Sequence, residues 1–203
     1  MPAKHHAGRK VPAKKTSARK AAATKKPARR AALAGKSRRR NATSPAALFR
    51  RALDSDDVKV KPTGRRRLAE VAKAFGSLSP ELAELWQVHD RVDVCFDEYE
   101  YLPCEHALGE WRSMKQARDE YFAVVQWAEP VDRGVQSLFW HDGWQPFARD
   151  GLGGLVCVDT APSDEGVAGQ VIFVGRDPDV RKVLGRSLGE WIADVGVYAI
   201  PTP

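Results

Sequence analysis

Aromatic side chains are almost missing from the first third of the chain. Of 17 Phe, Trp and Tyr residues in 203, only Phe49 precedes Leu68. The first 40 residues also lack Asp and Glu, and their only large aliphatic side chains are Val11 and Leu33. A segment this poor in apolar surface cannot offset the entropy of ordering itself, so residues 1–44 are predicted to be disordered alone. Cysteine is scarce as well, at Cys95, Cys104 and Cys157, with no Cys-x-x-Cys. An odd, sparse set argues against a disulfide framework and for a reducing compartment. No apolar run is long enough to span a bilayer, and no apolar core follows the basic start as a secretory signal would require.

What is present is sorted by charge. Residues 1–67 hold 22 Lys/Arg against 3 Asp/Glu, a net of +19, and residues 68–203 hold 11 against 23, a net of −12. The overall +7 is thus the sum of two opposed bodies, which should prefer different partners.

In the basic body, pairs of cations alternate with Ala, Thr, Ser and Pro from Pro12 to Ala31. Proline interrupts helices and cation repulsion keeps the chain open. Such a segment can neutralise phosphates and release their counterions, and Lys14, Lys15, Arg19, Lys20, Lys25, Lys26, Arg29, Arg30, Arg38, Arg39 and Arg40 are assigned to that contact. Without an aromatic for base stacking or a folded reading element, neither single-strand nor base-sequence selectivity is expected. Other readings of the same charge are solubility, anionic lipid, ribosomal RNA, an organelle transit peptide, or contact with the acidic half. The cadence resembles the tails of linker histones and histone-like nucleoid proteins.

Residues 45–67 read as a short helix and linker. Ser44 is a candidate cap with Pro45 at the first helical position, and Leu48, Phe49 and Leu53 share a face. Residues 68–203 suit one domain. Leu68, Val71, Ala72 and Phe75 follow helical spacing up to Gly76, and Ser79-Pro80 starts a second helix with Leu82, Leu85, Trp86 and His89 on one face. A strand region over Val92–Leu102 comes next, then a helix from His106 to Val125 with Leu108, Trp111, Ala117, Tyr121 and Val125 facing the core. Strands are expected over Ser137–Phe147, Gly154–Thr160 and Gly169–Gly175. Ser187-Leu-Gly-Glu190 is a capping box, which favours a break at Gly185 and a last helix over about 188–195, against one continuous helix from Val180. This order predicts an α+β fold with a mostly antiparallel sheet and helices packed on it.

Several segments together resemble the SUKH superfamily of fungal cell-wall-assembly regulators and bacterial toxin-immunity proteins. They are Leu68–Gly76, Leu78–Asp90, Trp140-His-Asp-Gly-Trp-Gln-Pro-Phe-Ala-Arg-Asp-Gly-Leu-Gly-Gly-Leu-Val-Cys-Val-Asp-Thr160, Gly169–Val174 and Ser187-Leu-Gly-Glu-Trp-Ile192. The likeness spans nearly all of residues 67–196 in the family's order, and departs from it at Arg91, where the family usually has Gly. It implies a noncatalytic α+β interaction domain. Bacterial members commonly neutralise toxins, many of them nucleases, by binding them.

The acidic charge agrees with a cationic protein partner, such as a basic toxin. Asp93, Asp97, Glu98, Tyr99 and Glu100 are the candidate partner-binding residues. On one strand Asp97, Tyr99 and Tyr101 would face one way and Glu98 and Glu100 the other. The competing reading is a solvated edge strand kept from pairing by its charge. His89-Asp90 and His141-Asp142 invite an acid–base role, but no nucleophile motif or oxyanion signature accompanies them, so both read as polar turns. Cys104-x-His106, with Cys95 or His89, lacks a second pair and assigns no metal. Asp150-Gly-Leu-Gly-Gly154 has no following lysine or serine and reads as a turn, not a phosphate loop. Trp140, Trp144 and Phe147 read as core. No cofactor and no catalytic residue are assigned. Two functions stay open: a SUKH-type binding module, for immunity or regulation, with a nucleic-acid-binding tail, or a DNA-associated structural protein acting through that tail. Either places the chain in the cytoplasm, on the nucleoid where the tail is engaged.

Overall fold

The computed structural model describes residues 44–56, 58–122, 131–176 and 180–200. The tail residues singled out above, from Lys14 to Arg40, lie outside the described residues, as does Val125.

Helix α1 (Pro45–Ser55) is capped by Ser44, whose side chain accepts from the Ala47 N–H at 3.2 Å. Phe49 and Leu53 are buried, and the Phe49 ring packs against Phe96, Tyr101 and His89. The helix set apart from the domain by sequence therefore contributes to the same core. Helix α2 (Arg65–Phe75) stops at Gly76, whose φ of 76° suits glycine. Helix α3 (Pro80–Val88) has the expected Ser79 cap and buries Leu82, Leu85 and Trp86, with His89 just beyond.

Strands β1 (Val94–Phe96) and β2 (Tyr99–Tyr101) follow, then α4 (Cys104–Ala117) and a π-helical turn (Arg118–Phe122). Next come β3 (Trp144–Arg149), β4 (Leu155–Asp159), β5 (Gln170–Val174), β6 (Arg181–Gly185), α5 (Leu188–Val195) and β7 (Tyr198–Ala199). The seven strands form one antiparallel sheet in the order β6-β5-β4-β3-β2-β1-β7. The α+β class is as expected. The chain runs as a meander from β1 to β6, and α5 then returns β7 to the outer side of β1. Pro146, which cannot donate to a ladder, sits where the β3–β4 register shifts.

Both faces of the central strands are covered, so β4 is buried along its whole length. On one face Trp191 of α5 packs on Phe96, Tyr99 and Phe147, with α1 alongside. On the other lies α4, with Trp111 and Met114 buried. Trp140, Trp144 and Phe147 are core residues, at most 1% exposed.

Four segments differ from the sequence expectation. Val92–Leu102 is a hairpin, not one strand, because Asp97 and Glu98 make a two-residue turn between Phe96 and Tyr99. The long α-helix passes at Ala117 into the π-helical turn Arg118–Phe122, where Tyr121 is 72% exposed instead of facing the core. Strand β3 begins at Trp144; Leu138 and Phe139 just before it give their carbonyls to the buried Arg181 guanidinium. Strands β6 and β7 were not expected. The apolar spacing of Val180, Val183 and Leu184 matches a helix, yet the chain from Arg181 to Gly185 is a strand paired with β5, and Gly185 passes so close to α5 that a Cβ there would lie 3.1 Å from Trp191.

Candidate functional site

The structure divides the five residues proposed for partner binding. Asp97 and Glu98 form the exposed tip of the β1–β2 hairpin, where Asp97 holds φ at 51°, a left-handed conformation that Asp tolerates better than most side chains. Tyr99 turns inward, its ring against Phe173 and Trp191. Burial, then the neighbouring Glu98 carboxylate, pushes its phenol up to about 12, so the hydroxyl stays protonated. Glu100 emerges on the opposite face, where Arg149 Nε donates to it at 2.8 Å and Arg149 Nη1 reaches Glu110 of α4 at 3.3 Å. Asp93 is tied to His89 and lies 3.8 Å from Arg91. Only Asp97 and Glu98 remain together as open acidic charge.

Around the hairpin the titratable groups are engaged in holding the fold. His89 is fully buried. Its Nδ1 accepts from the Lys61 N–H at 3.2 Å, which leaves the proton on Nε2 to be donated to Asp93 at 2.6 Å. Its carbonyl accepts from the Tyr101 hydroxyl at 2.8 Å. Asp90 accepts from the Cys104 N–H at 2.6 Å and so satisfies the first turn of α4 from a distant loop. The Cys104 thiol lies between Thr63 and Asp90, and burial pushes it up to about 11, which keeps it a thiol. Complete burial likewise pushes the Cys157 thiol well above its ordinary value. Neither carries the thiolate that nucleophilic or metal chemistry needs.

The second His-Asp pair is also structural. His141 Nδ1 accepts from the Gly143 N–H at 2.9 Å. Partial burial works to raise the Asp142 carboxyl, but hydrogen bonds from Lys115 at 2.9 Å and Arg118 at 2.6 Å outweigh it and hold the group below its ordinary value. These bonds fasten the turn before β3 to the end of α4. Asp159 is buried and raised by that burial, with Ala161 N–H and Gln170 Nε2 donating to it. The Asp150–Gly154 loop is a turn: Asp150 Oδ1 accepts from Leu152 N–H at 2.8 Å and Gly154 N–H at 2.7 Å. A Cβ on Gly154 would come within 2.5 Å of the Phe173 ring, so the glycine serves close packing.

Among the open grooves of the described surface, two bear on the candidate residues. One, of about 400 Å³, is bounded by Glu100, Glu110, Arg149, Asp150 and Arg176. The other, of about 440 Å³, runs between α2 and α4 past Arg67, Glu105, His106 and Arg112. Among the described residues no three His, Cys, Asp or Glu side chains converge as metal ligands. Sequence reasoning missed the Glu100–Arg149–Glu110 cluster, whose members are brought together only by sheet register and by α4 crossing β3. It also missed the α2–α4 groove, although Arg65-Arg66-Arg67 at a helix start was a readable sign of it.

The described residues contain no helix long and apolar enough to cross a membrane. Comparison with known proteins places the fold in context. A regulator of cell wall biosynthesis and the cell cycle from Schizosaccharomyces pombe is 43% identical over 61 residues, 30% of this chain and 12% of that protein. A glucan synthesis regulatory protein from Neurospora crassa is 39% identical over 61 residues, with the same shares of 30% and 12%. The cell wall assembly regulator SMI1 of Saccharomyces cerevisiae is 36% identical over 58 residues, 29% of this chain and 12% of that protein. The chain thus spans about an eighth of the length of these relatives. Residues 63–194, from the strand-like approach to α2 through nearly all of α5, match the SMI1 / KNR4 family (SUKH-1), and the chain belongs to that family.

Proposed function

We propose that the folded body is a noncatalytic, stoichiometric protein-binding module, and that the basic tail contacts nucleic acid without regard to base sequence. The observation that carries the first part is the fate of the buried polar side chains. His89, Gln145, Asp159, Gln170 and Arg181 are each consumed by hydrogen bonds within the domain. Chemistry on a substrate needs a base, a nucleophile or an oriented donor that is free to engage it. What the domain offers outward is charged surface, and the hairpin tip Asp97-Glu98 suits a cationic partner. The names of the fungal relatives favour regulation, in cell wall synthesis for them. Toxin immunity is the other role open to a stoichiometric binder, with a basic toxin as partner. The tail's net charge supports nucleic-acid contact, and with it a place in the cytoplasm or on the nucleoid.

The test uses the full chain and two probes, an oligoarginine peptide and a short mixed-sequence DNA duplex. Asp97→Asn with Glu98→Gln should slow association of the peptide at low salt and leave the duplex unaffected. Neutralising Lys14, Lys15, Arg19, Lys20, Lys25 and Lys26 should weaken the duplex alone. Unchanged peptide association would contradict the acidic surface, and unchanged duplex binding would contradict the tail.

A further inference from the structure

The folded body is acidic as a whole, yet one continuous strip of it is basic. Residues 58–75 hold six cations, Lys59, Lys61, Arg65, Arg66, Arg67 and Lys73, against the single acid Glu70. The strip is fixed to the domain. Lys61 bonds through its N–H to His89 and through its carbonyl to Asp90 N–H, and Thr63 N–H donates to the Trp86 carbonyl at 2.9 Å. These anchors hold Lys59 and Lys61 outward on an extended segment that leads straight into α2.

Helix α2 then opens with three arginines and no acid in its first turn, and no side chain caps its N-terminus. Cations at that end oppose the helix dipole, so local helix stability does not account for them. Glu70 and Glu105 engage Arg66 and Arg67. Arg65, which opens α2, and Arg112, which lines the α2–α4 groove, have no carboxylate partner among the described residues. Gly109, in the groove floor, leaves open space where a side chain would stand. Guanidinium groups ranged along a groove fit phosphate oxygens, which they bind through paired donors. The exposed face of α2 shows Arg65, Arg66, Arg67, Ala69, Glu70 and Lys73 and no large apolar side chain, so it lacks what a membrane-inserting helix requires.

We propose that this ledge, Lys59 to Lys73 together with Arg112, is a second and ordered phosphate-binding surface that takes the backbone of duplex nucleic acid. It rests on the reading that the chain binds nucleic acid, and assigns part of that binding to the folded body. The test is arginine modification of the full chain by phenylglyoxal, mapped peptide by peptide, with and without a mixed-sequence DNA duplex at low salt. Arg65, Arg66 and Arg112 should be protected several-fold, and the exposed Arg133, in the loop before β3, should not. Protection confined to arginines before residue 41 overturns the ledge and leaves the tail reading standing. Protection of neither overturns both. Protection of the ledge by phosphatidylserine vesicles but not by duplex also overturns the proposal.

A second measurement keeps the tail intact. Arg65→Gln, Arg66→Gln and Arg112→Gln combined should make the log–log salt slope of duplex binding shallower by about 2 to 3, from roughly 0.9 per phosphate lost. A urea midpoint equal to that of the parent shows that the variant is folded. An unchanged slope in that folded variant overturns the ledge.

Discussion

Asp56 and Ala199 lie 143 residues apart in sequence, and the Asp56 carboxylate accepts the outward-facing N–H of Ala199 at 2.9 Å. Ala199 belongs to β7, the edge strand of the sheet. At the opposite edge Asp132 does the same for Val183 of β6, at 2.8 Å. A carboxylate closes each edge, where an unpaired N–H would otherwise invite another strand. We expect Asp56→Ala to cost about 1 kcal/mol, the usual worth of such a bond, and to promote association between chains. Urea unfolding and light scattering across a concentration series check this. Asp56→Asn keeps an acceptor and should behave as the parent.

Gly154 allows β4 to start beneath the Phe173 ring. Gly154→Ala would place a methyl where 2.5 Å is available and should destabilise the domain by about 1–3 kcal/mol, the usual range for overpacking. Gly151→Ala, with nothing within 4 Å, should be close to neutral. Equal unfolding midpoints for the two variants would contradict the packing described for this loop.

Asp142 and Asp159 should contribute to stability with opposite signs of pH dependence. Asp142 is held below its ordinary 3.8 by Lys115 and Arg118 despite partial burial. Its contribution is present above about pH 4 and is lost as pH falls through the lowered value. Asp159 is raised above 3.8 by burial, so its contribution is present below that value and is lost as pH rises through the raised one. Urea midpoints from pH 3 to 7 should show Asp142→Asn with a flattened acid limb and Asp159→Asn with a smaller loss of stability between acid and neutral pH. Parallel curves for parent and both variants would refute these assignments.

The parts of the fold that sequence revealed are those governed by neighbours within one turn. The caps Ser44, Ser79 and Ser187 each bond to the amide three residues on, as their spacing indicated. The parts that stayed hidden depend on distant partners. The alternating pattern of Val92–Leu102 continues through Asp97-Glu98, and only the pairing of Phe96 with Tyr99 shows the turn. The helical spacing of Val180, Val183 and Leu184 is overridden by the pairing of Arg181–Gly185 with β5. Among the candidate partner residues, sequence alternation put Tyr99 and Asp97 on one face. The hairpin instead leaves Asp97 at the tip and turns Tyr99 into the aromatic cluster. Glu100 is neutralised by Arg149, 49 residues away, which no local pattern could indicate.

Noncatalytic action makes a simple demand on His141. Its Nδ1 serves the Gly143 N–H in the turn before β3. His141→Ala should leave binding of the oligoarginine probe within about tenfold, roughly 1.4 kcal/mol. A turnover that disappears with this substitution in a folded protein would overturn the binding-module reading.

The central claim is that this chain joins a nucleic-acid-binding basic tail to an acidic protein-binding domain. The salt dependence of duplex binding by the full chain tests it most directly. The tail carries 15 Lys/Arg in its first 40 residues. If about eight of them meet phosphates, the tail should contribute about −7 to the log–log slope, at roughly 0.9 per phosphate, with the ledge adding about −2 to −3, and binding should be indifferent to base sequence. A slope near zero, or binding no tighter than that of a chain whose tail cations have been neutralised, would contradict it.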